Sequence, residues 1–198
     1  GARSGSGSGR RPERPAQGPA AESERRRPAA ALPSSFSPAP APLPLPLDGF
    51  GGAEDSTVVV DPTNAANNVA RVVKSATAEL WAGTTVSTGP NLSVPALPFT
   101  ANDTTMTVRV WSPDAGIQVR LKVEDAADPG KSVETEATVT TAAGWQTLTF
   151  DFANQAPGTA ALNLAYTYNK VSIFFNFGVT GATAGAKTYY FDDVAFGL

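Results

Sequence analysis

Thr104-Thr-Met-Thr-Val-Arg-Val-Trp111, Ser112-Pro-Asp-Ala-Gly116 and Ile117-Gln-Val-Arg-Leu-Lys-Val-Glu124 follow one another in this chain and set its structural class. In the first run Met106, Val108 and Val110 alternate with Thr105, Thr107, Arg109 and Trp111. In the third, Ile117, Val119, Leu121 and Val123 alternate with Gln118, Arg120, Lys122 and Glu124. Successive side chains on a strand point to opposite faces, so this period of two predicts strands with one apolar and one polar face. The Ser-Pro-Asp-Ala-Gly segment carries turn residues, and the pattern predicts that the two strands are partners.

The same signals extend outward in both directions. Thr57-Val-Val-Val-Asp61, Asn68-Val-Ala-Arg-Val-Val-Lys74 and Glu79-Leu-Trp-Ala-Gly-Thr-Thr-Val86 are rich in β-branched residues and separated by Asp-Pro, Asn and Gly. Further strands are predicted at 133–141, 145–152, 170–177 and 187–196. Residues 153–169 form a longer connection with a short helical turn, where Tyr166 and Tyr168 are candidates for a rim. No amphipathic helix of useful length and no internal repeat interrupts the series. The expected fold is all-β: a two-sheet antiparallel β-sandwich, or jelly roll, over residues 48–198.

Residues 1–47 differ in kind. They run from Gly/Ser through Arg/Pro/Ala/Glu to Leu43-Pro-Leu-Pro-Leu47 and offer too little periodic apolar surface to offset ordering entropy. The expectation is a disordered, basic, Pro-rich tail or linker. It carries seven arginines against three glutamates, a local charge of +4, while the remainder carries eight basic and fifteen acidic residues, or −7. An acidic domain whose aromatics are not interleaved with basic residues argues against nucleic-acid binding. No apolar stretch suits a membrane, and a leader peptide, if the protein is secreted, is expected upstream of Gly1 or already removed.

Histidine and cysteine are absent, which excludes serine–histidine triads, cysteine nucleophiles and histidine-ligated metals. Glycosidase chemistry would need two carboxylates facing one another across a cleft. The conspicuous acids, Asp192 with Asp193 and Glu134 with Glu136, are strand neighbours or loop-proximal, and the expectation is a non-enzymatic domain.

Sugar binding is the chemistry the polar faces suggest, because a pyranose stacks its C–H face on an aromatic ring while its hydroxyls bond to charged and amide groups. Trp111 shares a face with Arg109, and Gln118, Arg120, Lys122 and Glu124 would stand on the neighbouring strand. Asn176 and Phe174 could extend that surface; the bland alternative is a solvated face with a tryptophan covering a core end. Trp81, followed by Ala-Gly, is a platform or a core plug, and Trp145, after a Gly turn, reads as structural. In Tyr189-Tyr-Phe-Asp-Asp-Val194, Asp192 and Asp193 must face opposite ways, so one is buried and needs a partner. Calcium is the first candidate, backbone N–H groups the second.

Leu80-Trp-Ala-Gly-Thr-Thr85, Trp111-Ser-Pro-Asp-Ala-Gly-Ile117, Gly144-Trp-Gln-Thr-Leu-Thr-Phe-Asp-Phe152 and Tyr189-Tyr-Phe-Asp-Asp-Val194 together resemble bacterial carbohydrate-binding modules with a galactose-binding-like β-jelly roll. Such modules are appended to secreted laminarinase- and agarase-like glycoside hydrolases. The resemblance implies a non-catalytic polysaccharide-binding domain for β-glucan or a related glycan. It also implies a covalently linked catalytic domain as partner, an extracellular location and a structural calcium ion. Asp192 matches the usual cation ligand, with Asp193 next. Relatives supply another acid from a first strand; here prolines precede Asp48-Gly-Phe50, which leaves that strand missing or Asp48 or Glu54 standing in for the acid. The competing expectation is a structural or adhesive extracellular β-sandwich, a surface-assembly subunit. The two part on whether Trp111, Trp81 and Arg120 share one exposed concave surface.

Overall fold

The computed structural model describes residues 47–87 and 89–197. Apart from Leu47, the tail expected over residues 1–47 lies outside the described residues. The strands are β1 (Leu47–Phe50), β2 (Thr57–Asp61), β3 (Asn64–Lys74), β4 (Gly83–Val86), β5 (Thr105–Ser112), β6 (Gln118–Asp125), β7 (Asp128–Thr138), β8 (Gly144–Asp151), β9 (Lys170–Phe175) and β10 (Lys187–Phe196). One short helix, α1 (Gly181–Ala184), and a 3-10 turn at Pro90–Leu92 complete the described elements. A helical turn was expected within 153–169; the helix lies instead between β9 and β10, opened by the Thr180 hydroxyl accepting from the Thr183 N–H.

Two five-stranded sheets face one another, a first in the order β1-β4-β9-β6-β7 and a second in the order β2-β3-β10-β5-β8. Every pairing is antiparallel. The all-β sandwich is therefore as expected, with one correction of consequence. β5 and β6 are not partners: β5 sits between β10 and β8 in the second sheet, β6 between β9 and β7 in the first. The segment between Ser112 and Gln118 arches from one sheet to the other. Met106, Val108 and Val110 thus belong to the same fully buried core as Val119, Leu121 and Val123. Alternation assigns each strand a core face, but an arch and a hairpin satisfy that pattern equally well.

Of the two alternatives for the first strand, its absence is ruled out. The prolines stop at Pro46, and Leu47–Phe50 pairs with β4 as an edge strand, where a preceding proline is tolerated. Of the strand expected over 79–86, only Gly83–Val86 forms. Glu79–Ala82 closes into a turn, its Ala82 N–H donating to the Glu79 carbonyl at 3.0 Å, which lifts Trp81 out of the sheet.

The interior is aromatic at both ends and aliphatic along the middle, with Phe191 opposite Val110 at one end of β5 and Phe150 opposite Met106 at the other. Phe175 stacks on Tyr189 with centroids 4.7 Å apart, and Phe150, Phe152 and Phe191 are fully buried. Each such ring contributes about 1.5–3 kcal/mol of burial, so the core fixes both sheets and hence the outward rows of side chains. Tyr168, expected at a rim, is buried instead, with its hydroxyl accepting from the Asn163 N–H at 3.0 Å. Tyr166 is exposed.

Candidate functional site

The outer face of the first sheet is a groove of about 520 Å³. Register builds it row by row. Asp48 lies opposite Thr85, Thr85 opposite Ser172, Ser172 opposite Lys122 and Lys122 opposite Glu134, one polar row across all five strands. Parallel to it, Phe174 lies opposite Arg120 and Arg120 opposite Glu136, with Phe50 opposite Gly83 at the other edge. On the far side Lys170 lies opposite Glu124. Strands are spaced about 4.8 Å apart, so a row across five of them is roughly 19 Å long, room for a short run of sugars.

Aromatic rings close one flank. Trp81 is 48% exposed and stacks on Phe50 with centroids 6.3 Å apart and planes at 22°. Phe50 meets Phe174 edge-on at 5.7 Å, and Phe174 meets Phe177 edge-on at 5.8 Å. Two glycines make this possible. A Cβ on Gly83 would lie 2.5 Å from the Phe174 ring, and one on Gly51, at φ 68°, would lie 2.7 Å from the Trp81 ring. The rings therefore lie flat against bare backbone, and Trp81 keeps a face toward solvent. Of the two readings of Trp81, the platform is the one its exposure matches.

The polar side is an ion-pair network. Arg120 donates from Nη1 to Glu134 Oε2 at 2.8 Å and from Nη2 and Nε to Glu136 Oε1 at 2.6 and 2.9 Å. Its guanidinium rests 3.6 Å above the Phe177 ring. Lys122 and Lys170 hold the two oxygens of Glu124 at 2.6 and 3.2 Å. In the polar row the Thr85 and Ser172 hydroxyls bond one another at 3.0 Å. Gln118 lies past Arg120 on the same strand, its amide donating to the Thr138 hydroxyl at 2.9 Å. Asn176 follows β9 in the left-handed region at φ 47°, and its carbonyl accepts from Lys74 Nζ at 3.0 Å.

Trp111 and Arg109 are elsewhere. Both stand on the outer face of the second sheet, so the expected juxtaposition with Arg120, Lys122 and Glu124 is corrected: the whole sandwich separates them, and of the trio Trp111, Trp81 and Arg120 only the last two share a surface. Trp111 meets Tyr190 edge-on at 5.5 Å, while Arg109 lies 4.0 Å above the Trp145 ring, whose indole N–H donates to the Thr63 hydroxyl at 2.9 Å. Trp145, expected to be buried across the sandwich edge, is half-buried.

The three residues expected to share calcium do not converge. Asp48 is on the outer face of the first sheet, Asp192 on the second, and Asp193 is exposed in a bulge of β10 at φ 47°. Asp192 is the buried one of the pair, and its neighbours are Asp61 and Arg109. Arg109 Nη1 lies 3.9 Å from Asp61 Oδ2 and 3.9 Å from Asp192 Oδ2, and Asn67 donates to Asp192 Oδ2 at 2.8 Å. Asp61 Oδ2 and Asp192 Oδ1 have no hydrogen-bond partner. Burial pushes the Asp192 carboxyl above the usual carboxylate range, outweighing Asn67 and Arg109. Asp61 is pulled below it, because the Thr63 hydroxyl and N–H together with Arg109 overcome its burial. Calcium takes six to eight oxygens, whereas two carboxylates here already share a guanidinium. Among the described residues no group of three or more acids could hold a metal. The residues do not fit the ion.

Thr85, Ser172, Lys170, Phe50 and Phe177 are groove residues that the sequence reading missed. Lys170 and Ser172 share parity with Phe174 on β9 and were within reach of the alternation argument. Phe50 and Phe177 flank the strand cores and gave no local signal.

No protein-family model matches the chain, and no curated protein matches it. Solved structures do. The family 11 carbohydrate-binding module of a cellulosomal cellulase of Clostridium thermocellum is similar with a TM-score of 0.51 and 14% identity, over 83% of this chain and 94% of that one. The family 30 carbohydrate-binding module of another cellulosomal cellulase of that organism gives 0.50 and 13%, over 82% and 95%. An exo-beta-agarase gives 0.52 and 12% over 84% of this chain, which spans 24% of the agarase. The chain thus has the β-sandwich fold found in carbohydrate-binding modules.

Proposed function

We propose that this domain binds a polysaccharide without cleaving it, laying one glycan chain across the strands of the first sheet. The observation that carries this is the open groove in which a half-exposed Trp81 flanks rows of fixed carboxylates and cations. Sugar rings stack on the indole while their hydroxyls exchange water for the exposed Asp48 and the part-exposed Lys122, Glu134 and Lys170. Net gain per hydroxyl is small, so affinity is modest.

Catalysis is disfavoured by the same geometry. Glu124, Glu134 and Glu136 are each tied to a cation, and Asp48 stands on the opposite edge strand from Glu134. No two of these carboxylates face one another across open space as glycoside hydrolysis requires. β-Glucan or a related glycan is the ligand we favour, with the module secreted and tethered to a catalytic domain, where it raises the local concentration of that domain at the polymer. Among the described residues no helix is long and apolar enough to cross a membrane. The test is affinity electrophoresis of the chain against laminarin, agarose, alginate, xylan and cellulose. Retardation by one class, lost in Trp81→Ala, supports the proposal. Free migration in every gel would favour a structural sandwich.

A further inference from the structure

Resting on that reading of the groove, we infer that it selects uncharged glycan chains and rejects polyuronates and sulfated chains, with Glu134 and Glu136 setting the preference. Three cations face the groove, which taken alone suggests an anionic ligand. None of them is free. The guanidinium of Arg120 spends Nε, Nη1 and Nη2 on Glu134 and Glu136 and lays its flat face on Phe177 at 3.6 Å. Lys122 and Lys170 converge on Glu124, whose carboxylate is buried between them.

The balance of charge points the same way. Asp48, Glu124, Glu134 and Glu136 set four carboxylates against three cations on this face, a net charge of −1. A sugar carboxylate or sulfate arriving here meets a slightly negative surface and must break an existing fork to find a donor. A hydroxyl needs neither. It donates to carboxylate oxygens already held in place and accepts from the N–H groups the forks leave over. Glu134 and Glu136 thus act as built-in stand-ins for the anion that Arg120 would otherwise recruit. Removing both charges changes the face from −1 to +1 and releases the guanidinium, so discrimination should fall.

Isothermal titration of the full chain with laminarihexaose, cellohexaose and hexagalacturonate, at low and high salt, tests this. The wild type should bind a neutral hexasaccharide with an affinity indifferent to salt and hexagalacturonate at least about tenfold more weakly. Glu134→Gln/Glu136→Gln should shift the ratio toward hexagalacturonate by about tenfold or more at low salt, an advantage that high salt removes. The Glu134→Gln single variant carries the comparison if the double variant does not fold. Hexagalacturonate binding as tightly as the neutral ligands overturns the inference while leaving polysaccharide binding intact. So does a folded variant with an unchanged ratio. Binding of no hexasaccharide by a chain that a polysaccharide gel does retard overturns this inference alone; with free migration in every gel it overturns both readings.

Discussion

Asp61 and Asp192 lie equally far from one nitrogen of the same guanidinium, yet their titrations are displaced in opposite directions. At 3.9 Å Arg109 attracts both without donating a true hydrogen bond, so the remaining partners decide. Asp61 has the Thr63 N–H and hydroxyl at 2.8 and 2.7 Å; Asp192 has the Asn67 amide and is otherwise desolvated. A carboxyl lowered in the fold stabilises above its unfolded value of about 4 and loses that contribution as pH falls through its folded value. One raised in the fold behaves oppositely, stabilising when protonated and losing that contribution as pH rises through its folded value. Asp61→Asn should therefore melt below wild type at neutral pH, with the gap closing in acid. Asp192→Asn should melt at or above wild type at neutral pH, again converging in acid, since an amide oxygen still accepts from Asn67. Melting curves from about pH 3 to pH 8 would show both, and an Asp192→Asn variant markedly less stable at neutral pH would refute the burial argument. Arg109 also supplies the positive charge that a metal would bring. Chelator and added calcium should leave the melting temperature unchanged, and a drop on chelation would place an ion at this pair after all.

At the level of elements, one buried lysine organises the flank of the groove. Lys74, at the end of β3, is 3% exposed and donates to the carbonyls of Phe175, Asn176 and Val179 at 3.3, 3.0 and 2.8 Å. Burial lowers its ammonium from the ordinary lysine range. Those carbonyls belong to the turn after β9, which carries Phe177 beneath Arg120. Lys74→Met should leave them without their donor and destabilise the domain by about 1–3 kcal/mol, measurable by urea titration. It should also loosen Phe177, so that glycan affinity falls even under conditions where the variant is fully folded. Unchanged affinity would separate the turn from the site. None of this was legible in the sequence, where Lys74 closes an ordinary strand pattern. What was legible was the strand series itself and the inward or outward parity of β5, β6 and β9, since that depends only on neighbours along the chain. Which strand lies beside which depends on loop path and core packing at long range. Reading the 112–117 arch as a hairpin therefore put Trp111 beside Arg120. Trp81, which the sequence left open between a platform and a core plug, is exposed, and the small Ala-Gly after the ring leaves that space.

For the whole molecule, the arch divides the candidate residues between two faces that cannot serve one ligand. The first sheet has a groove, an exposed indole and fixed polar rows. On the second, Trp111 and Trp145 are half-buried, their rings engaged by Tyr190 and Arg109. If binding belongs to the first face, the two tryptophan truncations must diverge. Trp81→Ala removes a half-exposed ring from the groove and should weaken glycan affinity about tenfold, close to 1.4 kcal/mol, with little change in melting temperature. Trp111→Ala removes packing from Tyr190 and should lower stability by about 0.5–1.5 kcal/mol while leaving affinity as it was. Retardation in a glycan gel and a melting curve on both variants decide the matter. The reverse pattern would move the ligand to the second sheet, and equal loss in both would mean that the sheets are coupled through the core more tightly than their separate faces suggest.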